Sequence, residues 1–244
     1  MYNDLIINVN VYFIHIPKTS GTALKCKQII KLGHGFNVKN IYGIRCEDHR
    51  GHIWHKSCYW KVYDYPIKPN TKMSIIRNPF DLLCSYYHHG TKLEPDGSDH
   101  GWMSVNYIHQ FKTFKEFITA YCDSEFEWHQ PQFQKFLFSQ LFDINHKCVA
   151  DIIIKYEYLN EAKEILNTKL KYPIIDNTVR VSKRKTKYYT EYYDKEMIEL
   201  VNKKCHRELK YFNYDFNGST KHEPLIINCS VKYDVYNDEI RCMT

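Results

Sequence analysis

No stretch of about 18 apolar residues occurs anywhere in this 244-residue chain, so a membrane anchor is not expected. There is also no C-x-x-C pair. The nine cysteines (Cys26, Cys46, Cys58, Cys84, Cys122, Cys148, Cys205, Cys229 and Cys242) are odd in number and widely spread, which argues against a disulfide framework and against a zinc site. Neither a basic leader nor an adequate apolar run precedes the first expected strand. The expectation is therefore a soluble, cytoplasmic protein with reduced thiols. Basic residues form no extended blocks: a formal charge of +6 scattered along the chain suits an anionic ligand without calling for nucleic acid. Internal repeats and low-complexity linkers are absent too, so nothing divides the chain by composition.

What is present is a hydrophobic content of 43%, enough for a full core, patterned as strands alternating with helices. Residues 11–16 (VYFIHI) form a continuous run rich in β-branched and aromatic residues, as in a strand buried on both faces. After a turn, Ala23, Cys26 and Ile30 recur at helical spacing, and Gly33 is a stop. Residues 34–71 read as loop with a short helix. Met73 to Ile76 gives a second strand, followed directly by a helix with Asn78 as cap, Pro79 at its first position and an apolar stripe of Phe80, Leu83, Cys84 and Tyr87, ending at Gly90.

Residues 91–112 read as a long surface loop. A capping box from Thr113 to Glu116 then opens a helix striped by Phe114, Phe117, Ile118 and Tyr121. Another helix is expected near Pro131, carrying Phe133, Phe136 and Leu137. Val149 to Tyr156 is a third buried strand, and Leu159, Ala162, Leu166 and Leu170 stripe the helix after it. A last helix spans roughly Asp194 to Tyr211, and "LIINCSVKYDV" in the tail reads as an edge strand or hairpin. The expected architecture is α/β with a central parallel sheet flanked by helices. Residues 1–216 form its domain, and residues 217–244 are a C-terminal extension packed on the same domain.

Two segments carry chemistry. In "PKTSGT" (Pro17 to Thr22) the chain turns from strand to helix, so successive N–H groups around Thr19 to Thr22 can face an anion, aided by the helix dipole. Lys18 adds a full charge, Thr19, Ser20 and Thr22 add hydroxyls, and Gly21 permits close approach. A Walker A loop would place its lysine after the last glycine; here the lysine comes first. In the second segment, "IIRNPFDLLCSYY", Arg77 stands at a strand end where a guanidinium can grip a phosphate bidentately. Asp81 and Ser85 project away from the apolar stripe of the following helix. Taken singly, the alternatives are an ordinary strand-to-helix turn, a strand-end ion pair for Arg77 and a solvated hydroxyl for Ser85.

Taken together, "FIHIPKTSGT" and, about 60 residues later, "IIRNPFDLLCSYY" resemble the paired signature of sulfotransferases that use 3'-phosphoadenosine 5'-phosphosulfate, closest to the carbohydrate sulfotransferases. The resemblance continues through "EWHQPQFQKFLF", the Tyr-Glu pair of "DIIIKYEYLNEA" and the C-terminal "RVSKRKTKYYTEYYDKEMIELV" with "YFNYDF", covering roughly residues 11–216. It implies a P-loop-like three-layer fold. It also implies that Lys18, Thr19, Ser20, Gly21, Thr22 and Ala23 bind the 5'-phosphosulfate, that Arg77 and Ser85 bind the 3'-phosphate, and that Ser182, Lys183 and Arg184 close over the nucleotide. Two positions depart from the family pattern: Leu82 where an Arg is frequent, and Arg180 where many members have Asn.

The implied reaction is sulfuryl transfer to a hydroxyl acceptor, most readily on a glycan, with no metal. Its base is sought among the histidines of "HRGHIWH". The spacing of His49, His52 and His55 suits a metal, yet no carboxylate or thiolate cluster completes such a site. In related enzymes a histidine lies about 25 residues before the signature Arg, and His52 stands 25 before Arg77. His52 is thus the expected base, with His55 as the alternative, and His55 and His129 are expected to line the acceptor pocket. Lys18 would stabilise charge on the bridging oxygen. Two rival readings stay open: a nucleotide-dependent phosphotransferase, disfavoured by the lysine placement, and a non-catalytic module that binds the nucleotide.

Overall fold

The computed structural model describes residues 11–14, 16, 18–19, 71–91, 108–126, 137–138, 141, 148, 150–169 and 188–227. The chain divides into two compact units, one of residues 1–76, 138–179 and 223–244, the other of residues 77–137 and 180–222.

The first unit is built on a sheet. Strand β1 (Val11–Ile14) pairs in parallel with β2 (Thr71–Ile76), which pairs in parallel with β3 (Ile152–Lys155). Every residue from Met73 to Ile76 and from Ile152 to Lys155 is buried, as expected of strands covered on both faces. The register sets Ile14 beside Ser74 and Ile76 beside Lys155, so these strands run to the same edge of the sheet. A single 3₁₀ turn at Tyr156–Tyr158 leads from β3 into a helix at Leu159–Lys169, whose Leu159, Ala162 and Leu166 are buried as its stripe requires.

The sheet is mixed, not parallel throughout. A strand in the tail, Leu225–Ile227, adds to β3 antiparallel, matching Ile152, Ile153 and Ile154 with Ile227, Ile226 and Leu225. It takes the edge position foreseen for this segment. The Lys155 N–H donates to the Pro224 carbonyl at 3.2 Å. The Lys155 ammonium, fully buried, lies 3.8 Å from the Glu223 carboxylate.

The second unit is mainly helical. Helix α1 (Pro79–Gly90) begins where the sequence places it: Asn78 Oδ1 accepts the Phe80 N–H at 3.0 Å, and Pro79 occupies the first position. Its burial is wider than one stripe. Phe80, Leu82, Leu83 and Cys84 are fully buried, Tyr86 is 4% exposed and Asp81 is buried, while Tyr87 is only partly covered. Gly90 is needed for space: a Cβ there would meet the Ile108 Cβ at 2.7 Å. Ile108 itself is fully buried, in a 3₁₀ turn at Ile108–Gln110, so the expected surface loop is anchored to the core at its end.

Helix α2 (Phe114–Cys122) has the capping box in full: Thr113 Oγ1 accepts the Glu116 N–H, and Glu116 Oε2 accepts the Thr113 N–H. The long C-terminal helix divides at Cys205 into α3 (Lys195–Lys204) and α4 (His206–Tyr211), because the Cys205 backbone, at φ −102° and ψ 20°, leaves helical geometry. Asp194 caps α3 by accepting the Met197 N–H at 2.9 Å. Aromatic rings tie these helices together: Phe80 packs edge-on against Tyr193 and Phe216, and Tyr193 against Phe114.

A two-stranded hairpin, Tyr214–Asp215 with Gly218–Ser219, closes the second unit. Asp215 Oδ1 accepts the Asn217 and Gly218 N–H groups, and Gly218 takes a φ of 140° that other residues rarely adopt. Among the described residues no helix is long and apolar enough to cross a membrane.

The helix expected after Thr22 and the one expected near Pro131 lie outside the described residues, apart from Leu137, which stands in a turn with Phe138.

Candidate functional site

In the first unit the candidate residues that are described are Lys18 and Thr19, in the turn that follows β1. Lys18 has a φ of 62°, a left-handed conformation uncommon for a residue with a long side chain. Strain of this kind costs on the order of 1–3 kcal/mol and persists where the surroundings determine it, often at ligand-binding turns. Thr19 helps to hold it. It is fully buried, and its Oγ1 donates to the Ile16 carbonyl at 2.7 Å, closing the turn on the strand end. The Thr19 hydroxyl proton is therefore committed to the loop.

In the second unit the candidates are Arg77 and Ser85. Arg77 is the first residue after β2, and only 6% of it is exposed. Its Nε donates to Asp81 Oδ2 at 2.5 Å, an ion pair whose side chains are 8% and 12% exposed. Arg77 also lies near the Tyr86 phenol. Burial raises that phenol well above its ordinary range while the guanidinium pulls it the other way, so Tyr86 stays protonated at neutral pH. Ser85 follows Asp81 by one helical turn and is half-buried. Leu82, where the family resembled often has Arg, is fully buried.

Asn78, between Arg77 and Pro79, fastens this corner. Besides capping α1, its Nδ2 donates to the Asp215 carbonyl at 2.8 Å and to the Gly218 carbonyl at 3.3 Å, joining the Arg77 turn to the hairpin. One side chain thereby fixes both the helix start and the segment "NYDFNGS".

Ser20, Gly21, Thr22, Ala23, His52, His55, His129, Ser182, Lys183 and Arg184 lie outside the described residues. Among the described residues no group of three or more His, Cys, Asp or Glu side chains could hold a metal ion.

Two charged side chains have partners that the motifs did not signal. Glu208 on α4 is 2% exposed and accepts the Leu137 N–H at 2.6 Å. Burial pushes its carboxyl up from 4.5 to about 7, with the Leu137 N–H, Arg207 and Lys204 acting in the opposite sense. Asp81 is the other. Asp81 was visible in the sequence as a residue projecting from the stripe, but Arg77 precedes the Asn78 cap, so helical spacing did not mark the two as partners.

Comparison with family models, with curated proteins and with solved structures finds no match to this chain. The functional reading therefore stands on the residues themselves.

Proposed function

We propose that the protein is a sulfotransferase of P-loop-like three-layer fold that moves a sulfuryl group from 3'-phosphoadenosine 5'-phosphosulfate to a hydroxyl acceptor, most readily on a carbohydrate. The observation that carries the reading is the placement of the two signatures. β1 and β2 are parallel neighbours that end at one edge of a sheet, the edge at which open α/β sheets take their ligands. The Lys18 turn follows one strand and Arg77 follows the other.

Lys18, with the backbone from Thr19 to Ala23, would take the 5'-phosphosulfate. Arg77 and Ser85 would take the 3'-phosphate, with Ser182, Lys183 and Arg184 over the nucleotide. His52 is assigned the proton of the acceptor hydroxyl as the new S–O bond forms and the bond to the 5'-phosphate breaks, releasing adenosine 3',5'-bisphosphate. His55 and His129 are assigned to the acceptor side. The reaction as written needs no metal.

The first test is binding. Adenosine 3',5'-bisphosphate at about 100 times its Kd should add about 3 kcal/mol of stability and raise Tm by roughly 5–10 °C. ATP with Mg²⁺ at the same concentration should do less. A clear preference for ATP with Mg²⁺ would move the assignment to a phosphotransferase. Binding of the bisphosphate without transfer to any acceptor would leave a nucleotide-binding module.

A further inference from the structure

We infer that Asp81 is a positioning residue that aims the Arg77 guanidinium and thereby sets the preference for a nucleotide bearing a 3'-phosphate; this rests on the sulfuryl-donor reading above. The ion pair is made through Arg77 Nε, at 2.5 Å from Asp81 Oδ2. Nε joins the flexible stem to the planar fork, so a bond at Nε fixes the plane of the guanidinium and the direction of its terminal nitrogens. Bidentate recognition of a phosphate depends on that direction.

Asp81 is itself held. It sits in the first turn of α1, which Asn78 caps, between Phe80 and Leu82, both fully buried. The carboxylate therefore has a fixed position to impose on Arg77. Ser85 lies one helical turn further along α1 than Asp81.

Charge alone predicts the opposite of positioning. A carboxylate beside Arg77 repels a phosphate, so removing it should tighten phosphate binding if net charge decides the matter. If direction decides, removing it should weaken binding, and only for ligands that carry the 3'-phosphate.

The experiment compares Kd for adenosine 3',5'-bisphosphate and for adenosine 5'-monophosphate in the wild type, Asp81→Ala and Asp81→Asn, with melting curves to confirm folding. In Asp81→Ala the preference for the bisphosphate should fall by about tenfold or more, the effect of one hydrogen bond to a charged group, with monophosphate affinity unchanged. Asp81→Asn keeps an oxygen to accept from Nε and should lose only about threefold. A preference that is unchanged or increased in Asp81→Ala overturns the inference. If Asp81→Ala does not fold, the Asp81→Asn ratio decides: a fall of about threefold supports positioning, and an unchanged or higher ratio overturns it. A wild-type chain that does not distinguish the two nucleotides would overturn the donor reading, and the inference with it.

Discussion

Glu208→Gln should make the protein relatively more stable as pH rises. In the folded chain Glu208 is buried on α4 and its carboxyl is pushed up to about 7, against 4.5 for the ordinary group. The folded state thus binds this proton more tightly than the unfolded state does. Stability from this site is fully present below about pH 4.5 and is lost as pH rises to about 7. At about 1.4 kcal/mol for each pH unit in that window, the loss comes to about 3 kcal/mol. Glutamine has the same shape, stays neutral, and can still accept the Leu137 N–H that Glu208 now accepts at 2.6 Å. Urea unfolding of wild type and variant at pH 5 and pH 8 isolates the effect, because every other titrating group is common to both. The difference in stability between variant and wild type should shift by about 2–3 kcal/mol in favour of glutamine between the two pH values, since pH 5 already lies inside the window. A difference that stays constant to within about 1 kcal/mol would refute the account of a carboxyl raised by burial.

The corner around Arg77 gives two further expectations. Asn78→Ala removes the cap of α1 and the two bonds to the hairpin carbonyls, so it should destabilise by about 2–3 kcal/mol, read as a lower urea midpoint with an unchanged slope. Asn78→Asp keeps the cap but sets a carboxylate oxygen against the Asp215 and Gly218 carbonyls, so it should recover little of that loss. Gly90→Ala drives a methyl group against Ile108 and should cost about 1–3 kcal/mol, although alanine is the better helix former. Ile108→Gly in the same chain, which removes the Cβ that the new methyl group meets, should make Gly90→Ala much less costly; equal effects in the two backgrounds would show that contact to be irrelevant.

How much of this could be read from the sequence depends on the range of the interactions involved. Local signals carried well. Asn78 and Pro79 mark the start of α1 by hydrogen bonding and ring geometry within three residues, and the Thr113–Glu116 box marks α2 in the same way. Largely apolar runs marked β2 and β3 because both faces of those strands are covered, although the strand expected at Val149 to Tyr156 spans only Ile152–Lys155.

What depends on distant partners did not carry. The antiparallel pairing of Leu225–Ile227 with β3 turns on which strand lies at that edge, and an apolar triplet is silent on direction. The breadth of burial on α1, which covers Asp81 and Tyr86 as well as the stripe, comes from neighbours on several sides; periodicity reports one face only. Glu208 looks like any helix-surface glutamate until the Leu137 N–H is brought to it from 71 residues away. At the candidate site, the residue types at Lys18, Arg77 and Ser85 were legible. The left-handed Lys18 backbone and the hold of Asp81 on Arg77 were not, since backbone angles and the aim of a guanidinium leave no mark in composition or spacing.

The central claim, that this chain moves a sulfuryl group, is tested most directly by transfer of labelled sulfate from 3'-phosphoadenosine 5'-phosphosulfate onto a panel of glycans, small phenols and peptides. The wild type and His52→Ala are assayed side by side, with binding of adenosine 3',5'-bisphosphate measured in both. The account predicts label on at least one hydroxyl acceptor, foremost a glycan, with turnover lowered by about 10² to 10⁴-fold in His52→Ala while the bisphosphate still binds. Absence of transfer to every acceptor class, together with absence of bisphosphate binding, would contradict it.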